Sequence, residues 1–212
     1  MGKISPVSEI LDVFQPGLHR GAARLPYAPH KRYFYVEHPQ LGWRVYLRSC
    51  AFLHEAAVPF EKERFLVVKR TGGEPSKKTW EPPKGQMEGK DAGRSRVALI
   101  KLLEENIRRE VEEEAKIQKL LALRHTGMVL QGQEPDYPPN HFFQYHIFQA
   151  FVPSDEIAGA AEQFQWIQEH PEAFARFRSD KREKDGLSWF DPKRTKLMGK
   201  WSPTIVAQYL AA

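Results

Sequence analysis

Ile100, Leu103, Ile107 and Val111 recur at steps of three, four and four, the spacing that lines one side of an α-helix. That stripe predicts one long helix from about residue 96. Strand patterns stand on either side of it. Residues 32–37 are aromatic and β-branched, and residues 43–54 place Trp43, Val45, Leu47 and Ser49 on one face of a long strand. Residues 64–70 carry an unbroken apolar run, suited to burial on both faces and closed by a basic pair. Residues 141–152 alternate in part and give the strongest strand signal of the C-terminal half, with further strands predicted within 120–130 and at 187–190.

Turn and cap residues punctuate this pattern. Gly85, Gly89 and Gly93 predict a loop over 85–95, and Pro135, Pro138 and Pro139 predict another over 131–140. Ser154-Asp155-Glu156 opens a helix from Ile157, and Pro171 precedes a second one near 172–177. Ser202-Pro203 reads as an N-cap followed by proline at the first helical position, which starts a last helix running through Leu210. Pro6, Pro16, Pro26 and Pro29 mark residues 1–31 as an extension packed on the core, with a short helix at 8–14. Strands and helices interleave around one long helix, so the chain is expected to hold one α/β or α+β domain over 32–212, with a C-terminal helix.

Composition narrows the function classes. The 212 residues are 41% hydrophobic and 28% charged, an ordinary soluble balance. Lys and Arg exceed Asp and Glu by 32 to 27, with local basic clusters at Lys69-Arg70, Lys77-Lys78 and 181–184. These suit an anionic ligand and fall short of a nucleic-acid arm. The single cysteine, Cys50, excludes an internal disulfide and a multi-cysteine zinc site, and its apolar neighbours mark it as core. No stretch approaches about eighteen apolar residues. The N-terminus lacks a signal-peptide pattern. No membrane partner is expected, and an intracellular, cytoplasmic location is the default.

The candidate chemistry sits at the end of the long helix, in Arg109-Glu110-Val111-Glu112-Glu113-Glu114. On a helical wheel Glu110 and Glu114 are neighbours one turn apart, Glu113 lies about 60° to the other side, and Glu112 points away. Like charges on one face repel, and a hard cation such as Mg²⁺ would relieve that repulsion. A solvated charged face accounts for the string equally well by itself. The Gly/Pro turn upstream, Trp80-Glu81-Pro82-Pro83-Lys84-Gly85, favours the cation.

Turn and helix together resemble the box of the Nudix hydrolases, G-x5-E-x7-R-E-U-x-E-E-x-G-U, where U is a bulky aliphatic residue. Gly85 matches its first position, 109–114 match R-E-U-x-E-E, and Ile117 matches the last aliphatic. The resemblance covers the middle of the chain and implies a mixed sheet sandwiched between helices. It further implies that Glu110, Glu113 and Glu114 bind Mg²⁺ or Mn²⁺, with a backbone carbonyl at Lys84 completing the shell and Arg109 orienting the acids. The implied reaction is attack by a metal-activated water on a diphosphate. Lys69, Arg70, Lys84 and Gly85 are candidates to meet substrate phosphates, each against plain solvent exposure. Glu134 or Glu162 would be the acid that this family often adds outside the box, each against an ordinary surface acid.

Three departures carry their own expectations. Asp91 stands where the box has its first glutamate. Residues 92–108 stand where the pattern has seven positions, so ten are inserted; they should lengthen the helix at its N-terminal end and leave Glu105 to pair with Arg109. Lys116 replaces the glycine that usually stops the helix, which predicts continuation through 118–120. The implied substrate is an anionic small-molecule polyphosphate: a dinucleoside polyphosphate, a diphosphoinositol polyphosphate or a related nucleotide. Capped RNA, as in decapping relatives, is an alternative suggested by the turn. A binding module that has lost catalysis, and a helical interaction protein using 96–121, are the readings from other classes.

Overall fold

Apolar alternation in the first half of the chain is realised as strands. The structure is a computed structural model that describes residues 9–26 and 28–212. β1 (His19–Leu25) and β2 (Ala28–Glu37) form an antiparallel hairpin, and β2 pairs antiparallel with β3 (Arg44–Glu55), which is buried at every position but its two ends. β4 (Leu66–Arg70), β5 (Trp80–Glu81) and β6 (Lys84–Gln86) follow, then α1 (Leu99–Ala115), β7 (Leu121–Gly132) and β8 (His141–Val152). α2 (Ser154–Glu169), α3 (Pro171–Phe174), β9 (Lys184–Trp189) and α4 (Trp201–Ala211) complete the order. The fold is α+β. Its strands form two sheets, β1-β2-β3-β8-β7 with β6 added on β3, and β5-β4-β9.

Two compact units share these elements, and β3, α1, β7 and β8 each give one half to each unit. The first contains 9–49, 85–106 and 127–146. Met87 ties its strands together, donating its N–H to the Leu47 carbonyl at 2.9 Å and accepting from Phe34 N–H at 3.0 Å. At Gly21 a Cβ would stand 2.4 Å from the tip of the Tyr35 ring opposite it, so the ring packs over this glycine and would have to move aside for a side chain. The second unit contains 50–84, 107–126 and 147–212. In it Tyr209 of α4 stacks on Phe52 of β3 with centroids 3.6 Å apart, and Phe65 meets Phe52 edge-on at 4.8 Å. Phe164 and Ile167 of α2 bury themselves with Phe174 of α3 against Leu187 of β9. Cys50 is buried, as its apolar neighbours predict.

Several boundaries differ from expectation, each for a local reason. The expected 31/32 boundary falls inside β2, and within residues 1–31, expected as an extension packed on the core, residues 19–25 form β1. Residues 9–14 form no helix: a bend at Glu9 runs through irregular 10–12 to a turn at Val13-Phe14, where the Phe14 N–H donates to Asp12 Oδ1 at 2.8 Å, and Ser8 lies outside the described residues. α1 begins at Leu99, after a 3-10 turn at Gly89–Gly93. The Arg20 guanidinium binds the Val97 carbonyl at 2.7 Å and those of Arg94 and Ser95 at 3.3 and 3.4 Å, which holds 94–97 out of the helix. α4 starts at Trp201 with no side-chain cap, and Ser202 is buried instead.

Candidate functional site

Three buried charges and the partly buried Lys84, from three parts of the second unit, converge. β5 pairs with β4, Val68 opposite Glu81, until Pro82-Pro83 removes the next N–H donors and the chain turns to β3, where the Pro83 carbonyl accepts from Ala51 N–H at 2.9 Å. The turn leaves Glu81 only 2% exposed. Its carboxylate accepts from Lys184 Nζ, from Lys84 Nζ at 2.5 Å and from Ser202 Oγ at 3.2 Å. Lys184 reaches on to Glu114 Oε1 at 2.9 Å, and Glu114 Oε2 accepts the Lys84 backbone N–H at 2.9 Å. A buried ion is costly unless neutralised, and here two ammoniums face two carboxylates. Burial would raise the Glu81 carboxyl, but Lys84 and Lys184 outweigh it and hold it well below the usual carboxylate range. For Glu114 burial wins, and its carboxyl is pushed up despite Lys184 and Lys84. Burial also opposes charge on Lys184, but Glu114 and Glu81 carry its pKa upward.

One turn back on α1 the balance fails. Burial first, then the charge of Glu114, pushes the Glu110 carboxyl up to about 8, and Glu113 and Glu183 add to the rise. Arg109 opposes it from 3.5 Å. Glu105 pairs with Arg94 at 3.1 Å rather than with Arg109. α1 then stops at Ala115, because Lys116 takes a left-handed φ of 61°, the conformation that glycine would hold at this position. Its ammonium donates to the Glu113 carbonyl at 2.6 Å and the Lys181 carbonyl at 3.2 Å, bonds that offset the strain, so the helix does not continue through 118–120.

A cavity of about 990 Å³ opens over the buried charges, lined by Glu81, Lys84, Glu114 and Lys184, by Arg70, Arg182 and Glu183, and by apolar Ile167, Phe174 and Met198. Of the phosphate candidates it therefore holds Arg70 and Lys84. Lys69 departs from that expectation: its ammonium is taken by Asp185 at 2.5 Å and the Gly73 carbonyl at 2.8 Å. Gly85 lies in β6 and does not line the cavity. Of the two candidate outside acids, Glu134 pairs with Arg48 at 3.2 Å and lines a separate cavity of about 470 Å³ in the first unit, while Glu162 is exposed on α2 away from either. Glu81, Lys184 and Glu183 were not anticipated. Glu81 stood in the quoted turn and Lys184 in the basic run 181–184, so residue type was visible and partnership was not.

As a donor set, Glu110, Glu113 and Glu114 supply hard oxygens and surplus negative charge, which suits Mg²⁺ or Mn²⁺. Among the described residues no three of His, Cys, Asp or Glu close on a common point with metal-binding geometry. Glu110 is the acid left short of positive charge, whereas Glu114 is already engaged by Lys184. The residues fit a hard cation in charge and chemistry, and Glu114 is paired with Lys184 in this structure. Among the described residues no helix is long and apolar enough to cross a membrane.

No family model matches the chain, and no curated protein matches it in sequence. Solved structures do. A bifunctional NMN adenylyltransferase/ADP ribose pyrophosphatase from Francisella tularensis is 14% identical over 78% of this chain, with a TM-score of 0.41, and this chain spans 40% of its length. A mutT/nudix family protein from Listeria innocua is 18% identical, covering 79% of this chain and 98% of its own, with a TM-score of 0.34. An Ap4A hydrolase of C. elegans is 13% identical, covering 78% and 95%, with a TM-score of 0.40.

Proposed function

We propose that this chain is a Nudix-type hydrolase that uses Mg²⁺ or Mn²⁺ to cleave a diphosphate linkage in a polyphosphorylated substrate. The observation that carries the reading is the box string 109–114 at the end of α1, which gathers Glu110, Glu113 and Glu114; the partly buried Glu110 carboxyl is pushed up there, by burial first and then by Glu114. Glu110, Glu113 and Glu114 would hold the cation, with the Lys84 carbonyl as a further ligand. When bound, the ion neutralises phosphate oxygens and lowers the pKa of a bound water. The remaining work falls to side chains in place. Arg109 orients Glu110. Arg70, Lys84 and Arg182 present positive charge to the phosphates. Lys184 holds Glu81 and Glu114 in position until the cation arrives.

A panel of ADP-ribose, diadenosine tetraphosphate, a diphosphoinositol polyphosphate and capped RNA, with Mg²⁺ and with Mn²⁺, tests the reading through product identification. Turnover of a panel compound should fall by orders of magnitude in Glu113→Gln and Glu114→Gln while both variants stay folded. Full turnover in either variant, or in excess chelator, refutes hydrolysis by this site.

One observation favours a second reading. Both Glu114 oxygens are already occupied, by Lys184 Nζ and by the Lys84 N–H. A chain that kept this ion pair permanently would bind polyphosphates without cleaving them. Tight, metal-independent binding of a panel compound with no product released would select that reading.

A further inference from the structure

The C-terminal end of α4 is fastened by a chain of hydrogen bonds that can run in only one direction. We propose that protonation of His54 reverses a link of that chain, so that mild acid loosens the helix. The inference stands apart from the hydrolase reading, since no member of the chain lines the large cavity. Arg124 of β7 donates from Nε to Gln149 Oε1 of β8 at 2.9 Å, and Gln149 Nε2 lies 2.9 Å from the Tyr209 hydroxyl. That hydroxyl lies 2.8 Å from His54 Nε2, and His54 Nδ1 lies 2.9 Å from the Arg64 carbonyl. The two ends fix the direction. A guanidinium only donates, so the Gln149 carbonyl faces Arg124 and its amide nitrogen donates to Tyr209. The phenol oxygen accepts that bond and gives its own proton to His54 Nε2. A backbone carbonyl only accepts, so His54 carries its hydrogen on Nδ1. Neutral imidazole in that tautomer satisfies every link. An imidazolium would turn a second donor on the Tyr209 hydroxyl, whose proton would lose its acceptor.

The chain lies where a lost bond is costly, because His54, Gln149 and Tyr209 are all buried. The rings of Phe60, Phe65 and Phe151 stand around the imidazole. Neither α4 nor residues 147–152 of β8 carry a charged side chain. The segment before β4 carries Glu61, Lys62, Glu63 and Arg64; Arg64 pairs with Glu55 at 2.9 Å, and Lys62 lies over the Tyr209 ring at 5.4 Å. Burial lowers the pKa of His54 from its ordinary 6.5, against the backbone carbonyls of Arg64 and Glu61, which raise it. The docked helix thus refuses a proton that His54 accepts near 6.5 once the helix is away. Below 6.5 the undocked state binds more protons, so docking is strongest at neutral pH and weakens as pH falls. At pH 5.5, one unit below the ordinary value, the ratio of undocked to docked chains rises by up to about ten-fold. α4 also carries Ser202, whose hydroxyl meets Glu81 at 3.2 Å, so loosening the helix reaches the wall of the large cavity.

Amide hydrogen exchange on the full chain, corrected for the intrinsic effect of pH, reads the docking. Between pH 7.5 and 5.5 the protection of residues 205–211 should fall by up to about ten-fold more than that of α1. This excess should vanish in His54→Gln, which does not titrate. NMR titration of the parent reads the switch itself and needs no substitution at 54: the His54 imidazole should titrate below 6.5. In Tyr209→Phe, which keeps a ring on Phe52 and removes only the hydroxyl, it should move up toward 6.5. Titration of His54 at or above 6.5 in the parent, an unchanged value in Tyr209→Phe, no excess loss of protection in α4, or the same excess in His54→Gln overturns the proposal.

Discussion

Glu110 places stability and function in opposition, and its replacement by glutamine exposes both. In the metal-free protein its carboxyl is pushed up from the ordinary 4.5 to about 8, because burial and Glu114 disfavour the charged form more than Arg109 supports it. The unfolded chain releases this proton near its ordinary pKa, the folded chain near 8. Between those values the folded state binds the extra proton, so stability from this group is greatest below about 4.5, declines through the window and levels off above about 8. At roughly 1.4 kcal/mol per pKa unit the ceiling is about 5 kcal/mol. Side-chain movement and water entry lower it, and we expect about 1–3 kcal/mol. Denaturant unfolding in chelator should therefore find Glu110→Gln close to the parent at pH 4 and more stable by that amount at pH 8.5. Adding Mg²⁺ should stabilise the parent, by linkage to binding, and do little for the variant. If Glu110→Gln is less stable than the parent at pH 8.5 without metal, Glu110 is not the strained acid described here.

Other groups give sharper signs than sizes. Lys184→Met strands Glu81 and Glu114 without their shared ammonium, and should cost about 3–5 kcal/mol in denaturant unfolding; the double variant with Glu81→Gln should lose less than the single. At position 116, glycine should be more stable than alanine by about 1 kcal/mol in thermal melts, because both lack the ammonium and only alanine strains the left-handed φ. Arg70→Ala should weaken methylenediphosphonate binding several-fold, with stability little changed. Lys69→Met should do the reverse, because its ammonium serves Asp185 and Gly73.

Local signals were read well wherever one face of an element decided its conformation. The strand expected at 141–152 is β8, His141–Val152, since aromatic and β-branched residues there leave little alternative. The stripe Ile100, Leu103, Ile107 and Val111 is the inner face of α1. The helix starts later than its stripe predicts because Arg20, far away in sequence, captures the carbonyls of Arg94, Ser95 and Val97. The stop at Lys116 was invisible to any pattern of polarity, since a lysine there gives no sign of positive φ. At the site, the acids of 109–114 were legible because their spacing is local. Their ammonium was not: Lys184 reaches Glu114 only because β9 pairs with β4, and that pairing slips register between Lys69 and Arg70. Lys69 and Arg70 differ for the same reason, as a basic pair says nothing of which member faces a carboxylate across the sheet.

The Glu81 carboxylate, gripped from β5, β9 and α4, also imposes an order of events during synthesis. Glu81 and Glu114 leave the ribosome well before Lys184 and Ser202, the groups that neutralise and anchor them. A nascent chain paused near residue 150 thus carries two acids with Lys84 as their nearby ammonium, before Lys184 can share the load. The second unit closes fully only once its last helix is available, so released chains cut short of residue 202 should stay open to protease there while the full chain does not.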